Sequence, residues 1–263
     1  QISDNIIIAQ EIIHNMRRKQ GRKGYMAVKV DLEKAYDRLS WQFLKGTLEM
    51  VNFPPSLVSL IMSCVQASSM DVLWNGERLA PFTPARGLRQ GDPLSPYLFV
   101  LCMERLGHLI SREVTKGAWK PIKTSRGGPA ISHLFFADDF ILFTEASLQQ
   151  AGVLQGVLGK FCDLSGQTVS IEKSRLFCSK NVHRELAEQI SDRTGVGLTA
   201  NLGKYLGMPL LHAKVNRSTY GEIVDNVYTT LQGWKSRCLL YAGRTLLVMS
   251  VISFMPIYVM PNI

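Results

Sequence analysis

The chain has 263 residues, 46% of them hydrophobic and 19% charged, which excludes a disordered or low-complexity protein and leaves room for one large domain or two small ones. Thirty Lys and Arg against twenty-one Asp and Glu give a formal charge of +9. A basic surface gains affinity for polyphosphates by releasing condensed counterions, so nucleic acid is the first partner to consider, a merely soluble basic protein being the plain alternative.

Ser3 is placed to cap a helix whose apolar stripe, Ile6, Ile7, Ile12 and Ile13, runs into Arg17-Arg18-Lys19. The start at Gln1-Ile2-Ser3-Asp4 reads as the middle of a helical pattern rather than a signal peptide. Together with the missing initiator Met and the abrupt Asn262-Ile263, it suggests a fragment of a longer polypeptide. Residues 21–24 form a basic turn. The run Tyr25-Met26-Ala27-Val28-Lys29-Val30-Asp31 alternates as a strand, which sets Lys29 and Asp31 on the face opposite Met26, Val28 and Val30. Ser40 caps a helix carrying Trp41, Leu44, Leu48 and Val51, and Pro54-Pro55 opens another with Leu57, Leu60, Ile61 and Cys64.

Residues 70–82 read as a β-hairpin about Asn75-Gly76, a dipeptide suited to a tight type I′ turn. A Gly/Pro-rich loop over 84–93 leads into an apolar helix from 96 to about 110, and 116–129 is loop-like. Then Leu134-Phe135-Phe136-Ala137 and Phe140-Ile141-Leu142-Phe143 make two β-prone runs with Asp138-Asp139 between them. A helix over 147–164 stops at Gly166. Shorter strands follow near 169–171, 176–178 and 204–211, and the last fifty residues are helical in pattern. The uncharged run over 245–263 is broken by Pro256 and Pro261, which favours a buried helix ending near Pro256 over a membrane anchor. The scattered cysteines, Cys64, Cys102, Cys162, Cys178 and Cys238, hold no C-x-x-C pair. That argues against a zinc site or a disulfide framework and suits a reducing compartment, nucleus or cytoplasm. Strands and helices that mingle, followed by a helical tail, predict an α+β domain and then a helical one.

Two neighbouring acids between apolar strands repel each other unless something compensates them. A divalent cation does so, although a solvated turn is an equally ordinary use of Asp-Asp. Asp31, a third acid at a strand end, tips the balance toward nucleotidyl transfer, where two metal ions about 3.5–4 Å apart flank an in-line displacement.

Several runs resemble the motifs of reverse transcriptases, in family order. Asp31-Leu32-Glu33-Lys34-Ala35-Tyr36-Asp37 is similar to the first, and Gly87-Leu88-Arg89-Gln90-Gly91-Asp92-Pro93-Leu94-Ser95-Pro96 to the second in its LINE-type wording. Phe136-Ala137-Asp138-Asp139 is similar to the third. The run from Gly166-Gln167-Thr168-Val169 to Ser170-Ile171-Glu172-Lys173-Ser174 is similar to the fourth, and Tyr205-Leu206-Gly207-Met208-Pro209-Leu210 to the fifth. The resemblance, strongest to plant non-LTR elements, covers about residues 1–211.

It implies a right-hand polymerase with a remnant of the fingers over 1–24, a palm over 25–211 and a truncated helical thumb over 212–263. It implies RNA-directed DNA polymerase activity on an RNA template, a DNA primer and dNTPs, with two Mg²⁺ ions (Mn²⁺ as an alternative) held by Asp31, Asp138 and Asp139. Asp31 and Asp138 would be the more direct ligands, with the Leu32 carbonyl beside them. Tyr36 would lie under the incoming sugar and clash with a 2′-hydroxyl, its plainer reading being a core aromatic. Gln90 and Gly91 would touch nucleotide and template. Arg89 would contact phosphate or simply be a solvated charge. Lys173 would protonate the departing pyrophosphate or be a surface lysine, and Tyr205, Leu206 and Gly207 would grip the primer or merely pack.

The basic run from Arg17 to Lys23 suits template binding, nuclear import or a solvated helix end. An upstream fingers segment, an endonuclease and an RNase H domain, expected of the parent polyprotein, do not occur in these residues. Alternatives are a group II intron or retron-type polymerase, whose second motif usually differs from Arg89 to Pro96, and a non-catalytic RNA-binding palm, which predicts loss of the three acids.

Overall fold

The computed structural model describes residues 2–67, 69–125, 127–210, 221–232 and 239–252. Helices packed with a four-stranded antiparallel sheet make it α+β, as the sequence predicts. The chain divides into two units, residues 15–202 and residues 1–14 with 203–263.

Helix α1 (Ile2–Arg18) buries Ile6, Ala9, Ile12, Ile13 and Met16 but leaves Ile7 half exposed. The 3.6-residue period, not mere adjacency, decides which isoleucines face inward. Ser3 lies inside the first turn rather than capping it, because helical backbone already begins at Ile2. Arg17 and Arg18 in the last turn complement the helix dipole.

The larger unit is organised by its sheet. Strand β1 (Tyr25–Val30) is followed by α2 (Ala35–Arg38), α3 (Trp41–Met50) and α4 (Pro55–Gln66). Ser40 caps α3 by accepting the Phe43 N–H. In α4 the inward residues are Val58 and Met62, while Leu57 and Leu60 face out. The Asn75-Gly76 turn, with φ of 49° and 87°, joins β2 (Leu73–Trp74) to β3 (Glu77–Arg78) as expected, but the hairpin's apolar side chains are exposed.

Helix α5 (Ser95–Thr115) is the longest. The segment expected as loop, 116–129, contains β4 (Ile122–Lys123), which pairs with β5 (Ala130–Ile131) just beyond it in a hairpin too short to leave a periodic signal. Strand β6 (His133–Phe136) turns into β7 (Asp139–Glu145). Helix α6 (Leu148–Ser165) follows, with Ser147 as N-cap and Gly166 at φ 76° as its stop. Then come β8 (Arg175–Cys178) and α7 (Arg184–Thr194), a helix the strand-rich sequence reading did not include. Val169 forms only a bridge to Leu32 rather than a strand.

The sheet runs β6-β7-β1-β8. Val28 stands between Leu142 and Leu176, and Val30 faces Phe140; all five join one core with Phe43, Leu48, Phe99, Leu106 and Phe161 from the helices. On the other face Ala27, Ile141, Phe143 and Phe177 are buried as well, so β7 is apolar on both sides.

In the smaller unit β9 (Lys204–Tyr205) and β10 (Met208–Pro209) form a hairpin, and the Gln10 amide donates to the Pro209 carbonyl at 2.8 Å. Helices α8 (Gly221–Gln232) and α9 (Tyr241–Leu247) follow, the latter running into a π-turn over Val248–Ile252. Leu246 and Met249 are each 66% exposed rather than buried, since nothing among the described residues covers that face. The rest of the apolar run, Pro256 included, lies outside the described residues, as does Cys238. No helix among the described residues is long and apolar enough to cross a membrane.

Candidate active site

The ladder between β1 and β7 ends with Val30 opposite Phe140. One step further, Asp31 stands beside Asp139, and both leave the apolar face that Val30 and Phe140 fill. Phe136 pairs with Asp139, so only Ala137 and Asp138 make the β6–β7 turn. Asp139 is therefore the first residue of a strand and not, as the sequence reading has it, a residue between the two strands. Ala137 sits at φ 52°, a left-handed conformation that costs an L-residue roughly 1–2 kcal/mol.

Asp138 is exposed, while Asp31 and Asp139 are half-buried. The Asp139 carboxyl is pushed above the ordinary aspartate range, mainly by burial. Lys29 pulls it back, and the charges of Asp138 and Asp31 raise it further, so Asp139 feels both other carboxylates. Among the described residues no three Asp, Glu, His or Cys side chains close into a ready-made metal cage. An open set of this kind still fits Mg²⁺, which commonly takes one or two carboxylates and leaves positions for substrate phosphates.

The stretch after Asp31 is gripped from two sides. On one side Gly87 donates to the Leu39 carbonyl at 2.7 Å and Leu88 to the Tyr36 carbonyl at 2.8 Å, while the Trp41 indole donates to the Gly87 carbonyl at 2.7 Å. Gly87 has φ 88°, and a Cβ there would lie 2.7 Å from the Asp37 carbonyl oxygen, so only glycine allows the approach. On the other side Glu33 donates to the Thr168 carbonyl at 2.9 Å, Ser40 to the Ser165 carbonyl at 2.8 Å, and the buried Gln167 amide to the Ala35 carbonyl at 2.7 Å. Leu32, itself buried, bridges Val169. Three separate motifs thus meet around one loop.

Tyr36 in α2 is half-buried, its ring stacked on Phe99 of α5 with centroids 4.7 Å apart and planes 14° from parallel. Its hydroxyl is held above the usual tyrosine range, first by burial and then by the charge of Asp138, which places the ring within electrostatic reach of that carboxylate.

The reverse transcriptase (RNA-dependent DNA polymerase) family matches residues 2–210. The chain belongs to that family. It is 31% identical over 172 residues to the Pol polyprotein of the type-2 retrotransposable element R2DM of Drosophila melanogaster, covering 65% of this chain and 15% of that protein. It is 26% identical over 258 residues to the transposon TX1 149 kDa protein of Xenopus laevis, covering 96% and 19%. An uncharacterized mitochondrial protein of Arabidopsis thaliana is 54% identical over 65 residues, covering 25% and 53%. Among solved structures it is similar to a telomerase of Candida albicans in complex with a fragment of telomeric RNA, with 15% identity, a TM-score of 0.49, and 70% of this chain and 30% of that one covered. The chain spans from about a seventh to about half of the length of the three curated relatives. Two of these relatives, the R2DM and TX1 proteins, belong to transposable elements, which fits the non-LTR resemblance read from the motifs.

In this reverse transcriptase domain the second motif leads from Gly87 to the exposed Arg89, Gln90 and Gly91. Arg89 donates to the Cys64 carbonyl at 3.3 Å, and Gly91 has φ 87° with open space where a side chain would be. Arg89 and Gln90 line a cavity of about 540 Å³ with Trp41, Phe82 and Arg86. A larger cleft of about 670 Å³ between α3 and α4 shares none of the motif residues. Lys173 is exposed on a turn that Ser174 closes by donating to the Ser170 carbonyl at 2.9 Å. Tyr205, Leu206 and Gly207 belong to the smaller unit. There Tyr205 is fully buried, and Leu206 and Gly207 take φ of 51° and 79° in a two-residue turn.

Sequence reasoning missed Phe99, which backs Tyr36, and Ser174, which contacts the Asp31 backbone at 3.1 Å. Nothing in the spacing of Phe99 separates it from the other apolar residues of α5, and Ser174 looks like an ordinary turn serine.

Proposed function

We propose that this domain is the catalytic core of an RNA-directed DNA polymerase of a non-LTR retroelement, adding deoxynucleotides to a primer 3′-hydroxyl as an RNA template directs. The observation that carries the reading is the convergence of Asp31, Asp138 and Asp139 at the ends of two paired strands, close enough that the charges of Asp31 and Asp138 raise the Asp139 carboxyl. A non-catalytic scaffold has no need for such mutual repulsion, and none of the three acids is lost.

Asp31 and Asp138, with Asp139 and the Leu32 carbonyl beside them, would hold two Mg²⁺ ions, or Mn²⁺ in their place. When bound, these ions neutralise the triphosphate and activate the attacking hydroxyl. Tyr36, braced by Phe99, forms the floor under the sugar, and its ring excludes a 2′-hydroxyl by clash. Gln90 and Gly91 border the nucleotide and template, where the bare Gly91 backbone allows close approach, and Arg89 offers a guanidinium to phosphate. The Lys173 Nζ hands a proton to the departing pyrophosphate. Leu206 and Gly207, on the strained turn that the buried Tyr205 anchors, hold the primer end.

Residues 25–211 correspond to the palm, residues 1–24 to a fingers remnant, and residues 212–263 to the thumb. Partners are an RNA template, a DNA primer and dNTPs, which the +9 charge favours, together with the endonuclease and RNase H parts of a parent polyprotein. The four described cysteines are free thiols, consistent with a reducing compartment, nucleus or cytoplasm. Primer extension on RNA with Mg²⁺ and dNTPs tests the reading. Metal-dependent deoxynucleotide addition is expected, and its absence from a folded full-length parent would overturn it.

A further inference from the structure

We propose that Ser174 is a positioning residue for polymerisation, its hydroxyl fixing Asp31 to the turn that carries Lys173. The inference rests on the polymerase reading above. The β1–β8 ladder ends at Lys29 opposite Arg175, and the β1–β7 ladder ends at Val30 opposite Phe140. Beyond these pairs the backbone groups of Asp31 have no strand to bond, and partly buried peptide groups need partners. Both find them on one turn. The Asp31 N–H donates to the Ser174 Oγ at 3.1 Å, and the Ser170 N–H donates to the Asp31 carbonyl at 2.8 Å.

Ser174 is fully buried, and its own N–H donates to the Ser170 carbonyl at 2.9 Å, so the turn is closed on itself. Asp31 is therefore bonded to both ends of a rigid five-residue turn whose exposed fourth residue is Lys173. The neighbouring contacts, from Glu33 to Thr168 and from Leu32 to Val169, are backbone to backbone and survive any substitution at 174. The Asp31 amide bond alone depends on a side chain. Without it Asp31 keeps a single tether, and its peptide is free to rotate relative to Lys173. The hydroxyl thus sets the distance between a carboxylate that would hold metal and the ammonium that would meet the leaving group.

The test uses the full chain with Ser174→Ala, Ser174→Cys, which keeps the size but is a poor acceptor, and Ser174→Thr, which keeps the hydroxyl. In metal-free protein, amide exchange at Asp31 is expected to speed up about five- to tenfold in the Ala and Cys variants, as loss of one hydrogen bond would give. Val28 and Leu142 should stay protected. In primer extension the same two variants are expected to need several-fold more Mg²⁺ for half-maximal rate and to lower kcat more than KM for dNTP. Thr should restore both. Unchanged exchange at Asp31 overturns the proposal, and so do losses that follow the melting temperature alone with no rescue by Thr. If the folded wild-type full-length parent extends no primer, the polymerase reading itself fails. Faster exchange in the variants would then show Ser174 to be structural only, which also contradicts its positioning role.

Discussion

Val30 faces Phe140 across the β1–β7 ladder, and this pairing brings Asp31 to the side of Asp139. Because side chains alternate along a strand, the apolar pair locks the register that the acidic pair needs. A slip of β1 by one residue would turn Val30 out of the core and carry Asp31 away from Asp139 at the same time. The core therefore stabilises, through burial, an arrangement that is electrostatically unfavourable in the absence of a cation. The chemistry proposed here is a property of strand register before it is a property of any one acid.

Tyr36 separates a sugar gate from a simple core role. Its ring stacks on Phe99 yet stays half-buried within electrostatic reach of Asp138, so part of it remains exposed. Tyr36→Val should raise ribonucleotide incorporation relative to deoxyribonucleotide, measured by steady-state kinetics with matched substrates. Were the ring only core, truncation would cost about 3–5 kcal/mol of stability and lower both activities in parallel. A melting curve on the same preparation distinguishes the outcomes.

Gly87 should tolerate no side chain. Gly87→Ala places a Cβ 2.7 Å from the Asp37 carbonyl oxygen at a φ of 88°, and the cost should exceed about 1 kcal/mol. For a chain of this size that corresponds to a fall in melting temperature of at least roughly 2–4 °C. Gly91→Ala meets no such contact and should cost less, from its positive φ alone. Equal melting temperatures for the two variants would contradict the close packing of the first and second motifs.

His133 should make stability pH-dependent on the acid side. Burial holds its imidazole below the ordinary value of 6.5, with Glu104 pulling the other way. The fold favours the neutral ring, so this contribution is complete above the unfolded pKa. It is lost as pH falls through 6.5 toward the lower folded value, where the unfolded chain takes up a proton that the fold resists. His133→Gln cannot take up that proton. Its melting temperature should fall less than that of the wild type between pH 7 and pH 5, and parallel curves would dismiss the effect.

Template binding should be dominated by phosphate. Fluorescence anisotropy with single-stranded and duplex templates should show log affinity falling linearly with log salt, at roughly 0.7–0.9 per phosphate contacted, with little dependence on sequence. Salt-insensitive binding would argue against a basic polymerase cleft.

Much of this site is legible in sequence because its parts are local. The alternation of residues 25–31 fixes which face Asp31 takes, Ser40 caps the helix it precedes, Gly166 stops the helix before it, and Asn75-Gly76 turns as its φ values require. What is not legible depends on distant partners. That Gln167 bonds Ala35 and that Phe99 backs Tyr36 are facts of packing between residues far apart in the chain. The outward placement of Leu57, Leu60 and the apolar hairpin residues could not be foreseen either, because composition says that a residue can be buried and not that something will cover it.

The central claim is that the Asp31, Asp138 and Asp139 constellation performs metal-dependent deoxynucleotide transfer. Primer extension on an RNA template by the wild type and by Asp138→Asn, with Mg²⁺ and dNTPs, tests it most directly. Asp138 is exposed in the turn, so the substitution should leave the melting temperature and template affinity nearly unchanged while lowering extension by several orders of magnitude. Extension by Asp138→Asn at the wild-type rate would contradict the account.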